Sequence, residues 1–301
     1  MYFERMIFML KRLIDKDSVT VVVHGGSFHG DDVACVALLK VVHDNVNVIR
    51  KFKVDPETET ADYILDIGNV DKVTNAQVFL DHHQGPELIP GTEIKHCAFS
   101  KLALRMIDNS SHRLFRKYLL EELILPIAAQ DNGQNYSEYG LVPSPLTFVN
   151  SMKLNWTRDQ SFADSRFDLA ASMASSIIEI IIDNVEAKVK AYDLVNTAIQ
   201  KVDGGVMKLD RYLPWTETVI EYNEDLPKIQ IVAYPNNRGG FSIQVVPKKI
   251  GSFDSWIHIS ESVTSFEGCT GQAHGAYAFF DSLEHAVTAG KKLVKKASTG
   301  L

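Results

Sequence analysis

The chain is short of three things that would have fixed its class at once: cysteine, long apolar runs and positive charge. It has three cysteines in 301 residues, Cys35, Cys97 and Cys269. They lie far apart with no CxxC pair. That odd, sparse set predicts reduced thiols in a cytosol-like compartment and excludes a disulfide scaffold. No apolar run reaches the roughly 18 residues of a membrane span. The longest candidate, around Ser175 to Ile182, is short and lies between charged stretches. Lys and Arg number 31 against 38 Asp and Glu, for a net charge of −7, and the pI is near 5.8. A protein with a broad face for long duplexes would be basic, so any nucleic-acid contact should be local, or made to ends and short pieces. There is no internal repeat and no low-complexity tract. What remains is 45% apolar and 23% charged, the balance of a globular protein, and long enough for two ordinary domains or one large one.

The first residues, MYFERMIFMLKRLIDKD, are broken by Glu4 and Arg5, and no small-residue cleavage site follows. A secretory signal is therefore not expected. Met6, Met9, Leu10, Leu13 and Ile14 fit one helical stripe, which predicts a short docked amphipathic helix. A cytoplasmic location is expected, with a mitochondrial presequence the lesser alternative.

Strands alternate with helices in the first part. Val19 to Val23 reads as a buried strand and Asp32 to Val42 as a helix. Val46 to Val54, Tyr63 to Ile67 and Gln77 to Leu80 read as further strands. This alternation predicts a parallel α/β sheet. Ala98 to Ala129 is mainly helical, VPSP at Val142 to Pro145 is a loop, and a long helical pattern runs from about Asp159 to Lys201. Asp203-Gly204-Gly205 breaks it. Beyond it, Lys228 to Tyr234, Phe241 to Val246 and Trp256 to Ile259 read as strands, Asn236 to Gly240 as a hairpin turn, and Ser282 to Ala297 as a last helix. The expected organisation is residues 1–204 as an α/β catalytic domain and 205–301 as a smaller α+β substrate-capture domain.

The chemistry-bearing residues follow the first-domain strands. His24, His29 and Asp31 lie in VVVHGGSFHGDD, Asp66 in ILDIG, Asp81, His82 and His83 after QVFL, and Asp131 in AAQDNG. Residues just past the carboxyl ends of parallel strands converge on one crevice. Mixed imidazole and carboxylate donors without cysteine suit a pair of divalent ions better than structural zinc. They favour manganese, iron, cobalt or zinc over magnesium or calcium. Taken singly, His24 is an ordinary histidine, Asp66 a turn cap and Asp131 a DNG turn. The Asp-His-His triplet after an apolar strand, following HxxxxHxD after an earlier one, is less easily accidental.

The order HxxxxHxD, DIG, DHH and a later Asp resembles the DHH phosphoesterase superfamily of RecJ-type exonucleases, manganese-dependent pyrophosphatases and oligoribonucleases. HGGSFHGDDVACVALL, FLDHHQG, AAQDNG, LNW, YLPWTETV, IVAYPNNRGGFSIQVVPKKIGSF and EGCTGQAHG resemble, more closely, the Melanocyte Proliferating Gene family of exonucleases. The likeness covers about residues 20 to 290 in the family's order. It implies a parallel-sheet DHH domain followed by a smaller α+β domain. It implies that His24, His29 and Asp66 hold one metal, and that Asp31, Asp66, His82 and Asp131 hold the other, with Asp66 bridging. His83 is then the group facing the phosphate, and Asp81 orients the histidine pair. Arg238, Lys248, Lys249 and His274 are the candidates for substrate contacts. Two departures stand out. The family usually has Asp-Glu where this chain has Asp31-Asp32, and the glycine-rich run after GC is mostly replaced in GCTGQAHGAYAFF.

The resemblance implies hydrolysis of a phosphate ester by a two-metal-activated water, with His83, Asp81 and Asp66 in the catalytic set. Two divalent ions are expected, manganese first, with magnesium, cobalt or zinc as alternatives. The expected partner is single-stranded or short nucleic acid, RNA first, with no membrane and a homodimer left open. Trp156, Trp215, Trp256 and Tyr277 are either stacking surfaces or core, with core favoured for most. The alternatives are a small-molecule phosphohydrolase (a pyrophosphatase or dinucleotide hydrolase) and a metal-stabilised binding protein without activity.

Overall fold

The computed structural model describes residues 9–56, 58–107, 113–224 and 228–299. The chain divides into two compact units, Met1–Glu186 and Ala187–Leu301.

The first unit is built on a five-stranded sheet. Its strands are β1 (Ser18–His24), β2 (Asn45–Lys51), β3 (Tyr63–Leu65), β4 (Asp71–Val73) and β5 (Val78–Leu80), in the order β2-β1-β3-β5-β4. All neighbours are parallel except β4, which runs antiparallel to β5. Val21, Val22 and Val23 of β1 are fully buried, as expected for a β-branched run in a central parallel strand covered on both faces. The helix α1 (Gly30–Val42) is buried on nearly every side, which explains its almost unbroken apolar text. Its start is fixed by Asp32, whose Oδ1 accepts the His29 N–H at 2.9 Å, and Asp31 and Asp32 in its first turn suit the helix dipole.

The stretch read as one helical region, 98–129, is α2 (Ala98–Met106), then α3 (Arg113–Leu119), which runs through a π turn (Leu120–Ile124) into α4 (Leu125–Asp131). The short α5 (Val149–Met152) precedes α6 (Ala163–Ile199). The expected N-terminal helix is not found among its described residues. Met6 lies outside them, Leu10 pairs with Ile107 as an isolated bridge, and Ile14 is buried with its N–H on the Tyr63 hydroxyl. Tertiary cover outweighs helical spacing there.

The second unit holds a second five-stranded sheet. It comprises β6 (Val206–Lys208), β7 (Ile231–Pro235), β8 (Phe241–Val245), β9 (Cys269–Ala273) and β10 (Tyr277–Phe280), in the order β6-β7-β8-β10-β9. Only the β6–β7 pair is parallel. Between β6 and β7 lies α7 (Thr216–Tyr222), and α8 (Leu283–Thr299) closes the described chain. One face of the sheet buries Ile231, Ala233, Ile243, Val245, Ala278 and Phe280 with Ala286, Ala289 and Leu293 of α8. The other face, at its β6–β7 end, packs Met207, Val232 and Tyr234 with Val195, Ile199 and Trp215.

The segment Trp256 to Ile259 is not a strand. Its neighbour Ser255 makes only a bridge to Pro247, and the Ile259 N–H goes to Gly275 O. The sequence break at 204–205 ends α6, but the two units part earlier, between Glu186 and Ala187 inside that helix.

Candidate metal centre

Strand register puts the first ligand candidates in one row. Val23 pairs with Leu65, and Leu65 pairs with Leu80. The next residue on each strand is His24, Asp66 and Asp81, so three segments far apart in sequence deliver a side chain at the same height. Asp66 adds a bend of its own. Its φ is +58°, a left-handed conformation that carboxamide and carboxylate residues tolerate best and that concentrates at functional sites. The turn swings the chain out of β3 while the Asp66 N–H remains bonded to Leu80 O.

Around Asp66 the donors converge. His82 Nε2 lies 3.2 Å from Asp66 Oδ1, 3.6 Å from Asp131 Oδ2 and 3.8 Å from Asp31 Oδ2. His29, Asp31 and Asp66 form a second group with ligand atoms within 4.8 Å of one another. The His24 and His29 rings stack at 6.4 Å between centroids. His83 Nδ1 sits 2.6 Å from Asp81 Oδ1, and the other Asp81 oxygen accepts the Asn69 N–H at 2.7 Å.

The electrostatics of the cluster fit a bound cation. Asp31 Oδ2, Asp32 Oδ2 and Asp66 Oδ1 are buried without a hydrogen-bond partner, as is His24 Nδ1. Burying carboxylates together without compensation is costly. Burial, and Asp31 beside it, push Asp66 up to about 6. The same two causes push Asp131 up to about 10. Burial also raises Asp32, helped by Asp31 and Asp66. His24 and His29 are lowered, first by burial and then by the cations Arg50 and Lys153 respectively. They are thereby kept in the neutral form that donates a lone pair. For Asp81, the raising effect of burial is outweighed by the Asn69 N–H and by His83, so it stays ionised. Oxygen and imidazole donors with unclaimed lone pairs, in a cluster too acidic to stand alone, fit divalent cations.

Two buried cations hold the loops that carry these donors. Arg50 donates from Nη2 to Gly26 O at 2.7 Å, lies 4.6 Å from the Phe167 ring centroid and 5.7 Å from that of Phe28, and pairs through Nη1 with Asp164. Lys101 donates to the Asp81 carbonyl at 3.0 Å and pairs with Asp71 at 2.9 Å and Glu87 at 3.1 Å. One cation pins the HGGSFHG loop and the other the DHH loop.

The family model MYG1_exonuc, described as "Uncharacterised protein family (UPF0160)", matches residues 20–271. The chain belongs to this family. Its described residues gather three sets of imidazoles and carboxylates that could hold a metal ion. MYG1 protein YER156C of Saccharomyces cerevisiae is 24% identical over 284 residues, covering 80% of this chain and 82% of that protein. MYG1 protein of Chlamydia muridarum is 24% identical over 223 residues, covering 72% of each. Among solved structures, the pGpG-specific phosphodiesterase PggH of Vibrio cholerae matches with a TM-score of 0.29 and 16% identity, over 94% of this chain and 99% of that one. RecJ of Thermus thermophilus, solved with Mn2+, matches with a TM-score of 0.31 and 10% identity, over 94% of this chain and 52% of that one.

In this MYG1 family member His29, Asp66, His82, His83 and Asp131 line one hollow, while Asp31 lies within ligand distance of His82 and Asp131, His24 stacks on His29 and Asp81 holds His83. The second-unit candidates separate. Arg238 and His274 line one concavity. Lys248 lies elsewhere, paired with Asp254 at 3.1 Å and set over the Trp256 ring. It is a loop brace rather than a companion of Arg238. Trp215 is core, whereas Trp156 is exposed. Gln130 and Asn150 border the first-unit hollow and were not singled out by sequence, and neither were Arg50 and Lys101. Their only signal was a cation inside otherwise apolar text.

Proposed function

We propose that the protein is a divalent-metal-dependent phosphodiesterase that hydrolyses single-stranded or short nucleic acid from an end, RNA first. The observation that carries this reading is the convergence of three loops on Asp66, with buried carboxylate oxygens left unpaired around it. His24, His29 and Asp66 would hold one ion, and Asp31, Asp66, His82 and Asp131 the other, manganese first. Bound there, the ions supply Lewis acidity toward a phosphoryl group and make water a competent nucleophile near neutral pH.

The chain's own groups do the rest. The Asp31, Asp66 and Asp131 carboxylates draw the site's charge toward a cation and away from a bare phosphate, so substrate enters only a loaded site. His83 is half-exposed, and its Nδ1 is committed to Asp81, which fixes the ring and favours a proton on Nδ1. Its Nε2 is the atom left to meet a non-bridging or leaving oxygen and to give it a proton. Asp81 orients that ring, as a carboxylate partner does for a working imidazole. Arg238 and His274 are the second unit's contacts to phosphate or to a strand terminus.

The test is digestion of end-labelled single-stranded RNA and DNA with added manganese, beside Asp66→Ala. A ladder of shortened products that disappears in the variant is expected, and RNA should be cut faster than DNA. Intact strands, with dinucleotide or pyrophosphate hydrolysed instead, would make it a small-molecule phosphohydrolase. No hydrolysis and no metal binding would sink the enzyme reading.

A further inference from the structure

The long helix α6 is apolar on two sides. Phe167, Ala170, Ala174, Ile178 and Ile182 are buried along one of them. Leu169, Met173 and Ile180 fall on the opposite side by helical spacing, and they are 49%, 45% and 60% exposed. A helix on the surface of a folded unit ordinarily turns a polar face to water, and a run of large apolar side chains there marks a contact surface. Arg166, Ser176 and Asp183 complete the stripe, and all three are exposed. The six positions are spaced by three and four residues in alternation, which holds them in one row along about 25 Å of helix. All six belong to the first unit.

The order of residues along the row identifies its occupant. It runs Arg166, Leu169, Met173, Ser176, Ile180, Asp183. Inversion about the point between Ala174 and Ser175 exchanges Arg166 with Asp183, Leu169 with Ile180, and Met173 with Ser176. A second copy of the helix laid antiparallel on the first therefore meets it with a cation against a carboxylate at each end. Inside those pairs, branched aliphatic meets branched aliphatic, and in the middle a long methionine lies over a short serine. Parallel alignment in the same register would set Arg166 against Arg166 and Asp183 against Asp183, which like charges forbid. Among the described residues neither Arg166 nor Asp183 has an ion pair or side-chain hydrogen bond within its own chain. Asp164, two positions before Arg166, is already taken by Arg50.

We propose that α6 pairs with the α6 of a second copy of this chain, antiparallel, about a two-fold axis passing between Ala174 and Ser175. The inference goes beyond the phosphodiesterase reading and uses none of the metal-centre residues. A two-fold contact spends the same patch on both copies and closes at two, so the product is a dimer and not a fibre. One helix on one helix is small beside the roughly 1,600 Å² of a standard stable interface. The dimer should therefore be reversible, with a dissociation constant on the order of micromolar.

The experiment is sedimentation velocity on the full chain from about 1 to 100 µM, a range that brackets such a constant. The mass should rise from 33.6 kDa toward twice that value. Ile180→Asp sets a carboxylate against Leu169 of the other copy and should weaken association about a hundredfold. Its side chain is exposed in the single chain, so helix content by circular dichroism should not change. Asp183→Arg puts cation against cation at both ends and should weaken association about tenfold, and Arg166→Asp should do the same with carboxylates. Combining Arg166→Asp with Asp183→Arg restores opposite charges and should recover the original constant within about threefold, because the pairing is between copies. Should Ile180→Asp lose helix, this exchange, confined to exposed polar positions, decides alone. A monomer at every concentration, a dimer indifferent to Ile180→Asp and to both single reversals, a double variant no tighter than the single ones, or assembly that grows past two would each overturn the pairing.

Discussion

Arg50 shows how a residue that touches neither substrate nor metal can set a site's quality. Its guanidinium uses one nitrogen for Gly26 O and another for Asp164, and lies against the edge-to-face pair of Phe28 and Phe167 rings. Only the planar, five-donor group offers that combination. Replacing it by alanine frees the loop between His24 and His29 without removing any donor. Arg50→Ala is expected to weaken Mn2+ binding about tenfold to a hundredfold in calorimetry, the range typical of residues that orient ligands. Arg50→Lys should recover little of this, because an ammonium cannot stack and donate in two directions at fixed spacing. Unchanged affinity in both variants would remove Arg50 from the site's construction. Lys101 has the equivalent place under the DHH loop, where its ammonium meets Asp71, Glu87 and the Asp81 carbonyl.

At the scale of elements, the second sheet depends on one tight approach. Gly240 closes the β7–β8 turn at φ +80°, and a Cβ there would lie 2.5 Å from the Phe280 carbonyl oxygen. Both the conformation and the backbone neighbour forbid a side chain. Gly240→Ala should therefore destabilise the protein by about 2 kcal/mol or more. This would be seen as a lower denaturation midpoint, with the flanking strands losing order together. That hairpin was legible because NNRGG announces itself and the flanking runs alternate. β9 was not, since CTGQA has no β-branched pattern beyond Thr270 and half its residues are small. β4 and β6, DKV and VMK, are as short as β3 and β5 but carry a lysine where those have unbroken apolar text. Trp256 to Ile259 misled for the opposite reason, being apolar and aromatic yet pinned by loop contacts. In the site, His24, Asp66, Asp81 and His82 were legible because each follows an apolar strand. Arg50 and Lys101 were not, because their partners, a main-chain carbonyl and carboxylates distant in sequence, are brought near only by the fold. Lys248 looked like Arg238 in sequence, and its pairing to Asp254 became visible only with the loop closed.

For the molecule as a whole, the acidic centre ties folding to protons and metal together. Asp66 and Asp131 have raised pKa values in the metal-free fold, about 6 and about 10. A raised carboxylate favours folding below its unfolded pKa and loses that contribution as pH climbs through the folded value. His82 is raised as well, despite burial, by the carboxylates of Asp66, 3.2 Å away, and Asp31, and acts in the same direction. His24 and His29 are lowered and act oppositely, but only up to their unfolded pKa of about 6.5. Asp66 has given up most of its share by pH 6.5, so from pH 6.5 to 8.5 Asp131 should dominate. The melting temperature of chelator-treated protein is expected to fall by several degrees across that window, at about 2–4 °C per kcal/mol for units of this size. Excess manganese should reduce or reverse the fall, because metal replaces the proton as the group that neutralises the cluster. A flat metal-free profile would mean the carboxylates are not clustered in solution. No described helix is long and apolar enough to cross a membrane.

The row formed by His24, Asp66 and Asp81 has a consequence for how this site can change over time. Each of these side chains is counted from the last paired rung of its strand, Val23, Leu65 and Leu80. Loops beyond the row can therefore lengthen or shorten without moving the row itself. A single residue gained or lost inside β3 is different: it would present Leu65 or Ile67 where Asp66 now stands and exchange the two buried faces of the strand. Descendants of this sequence can vary freely in the length of the loops beyond the motifs, and hardly at all in the length of the strands before them.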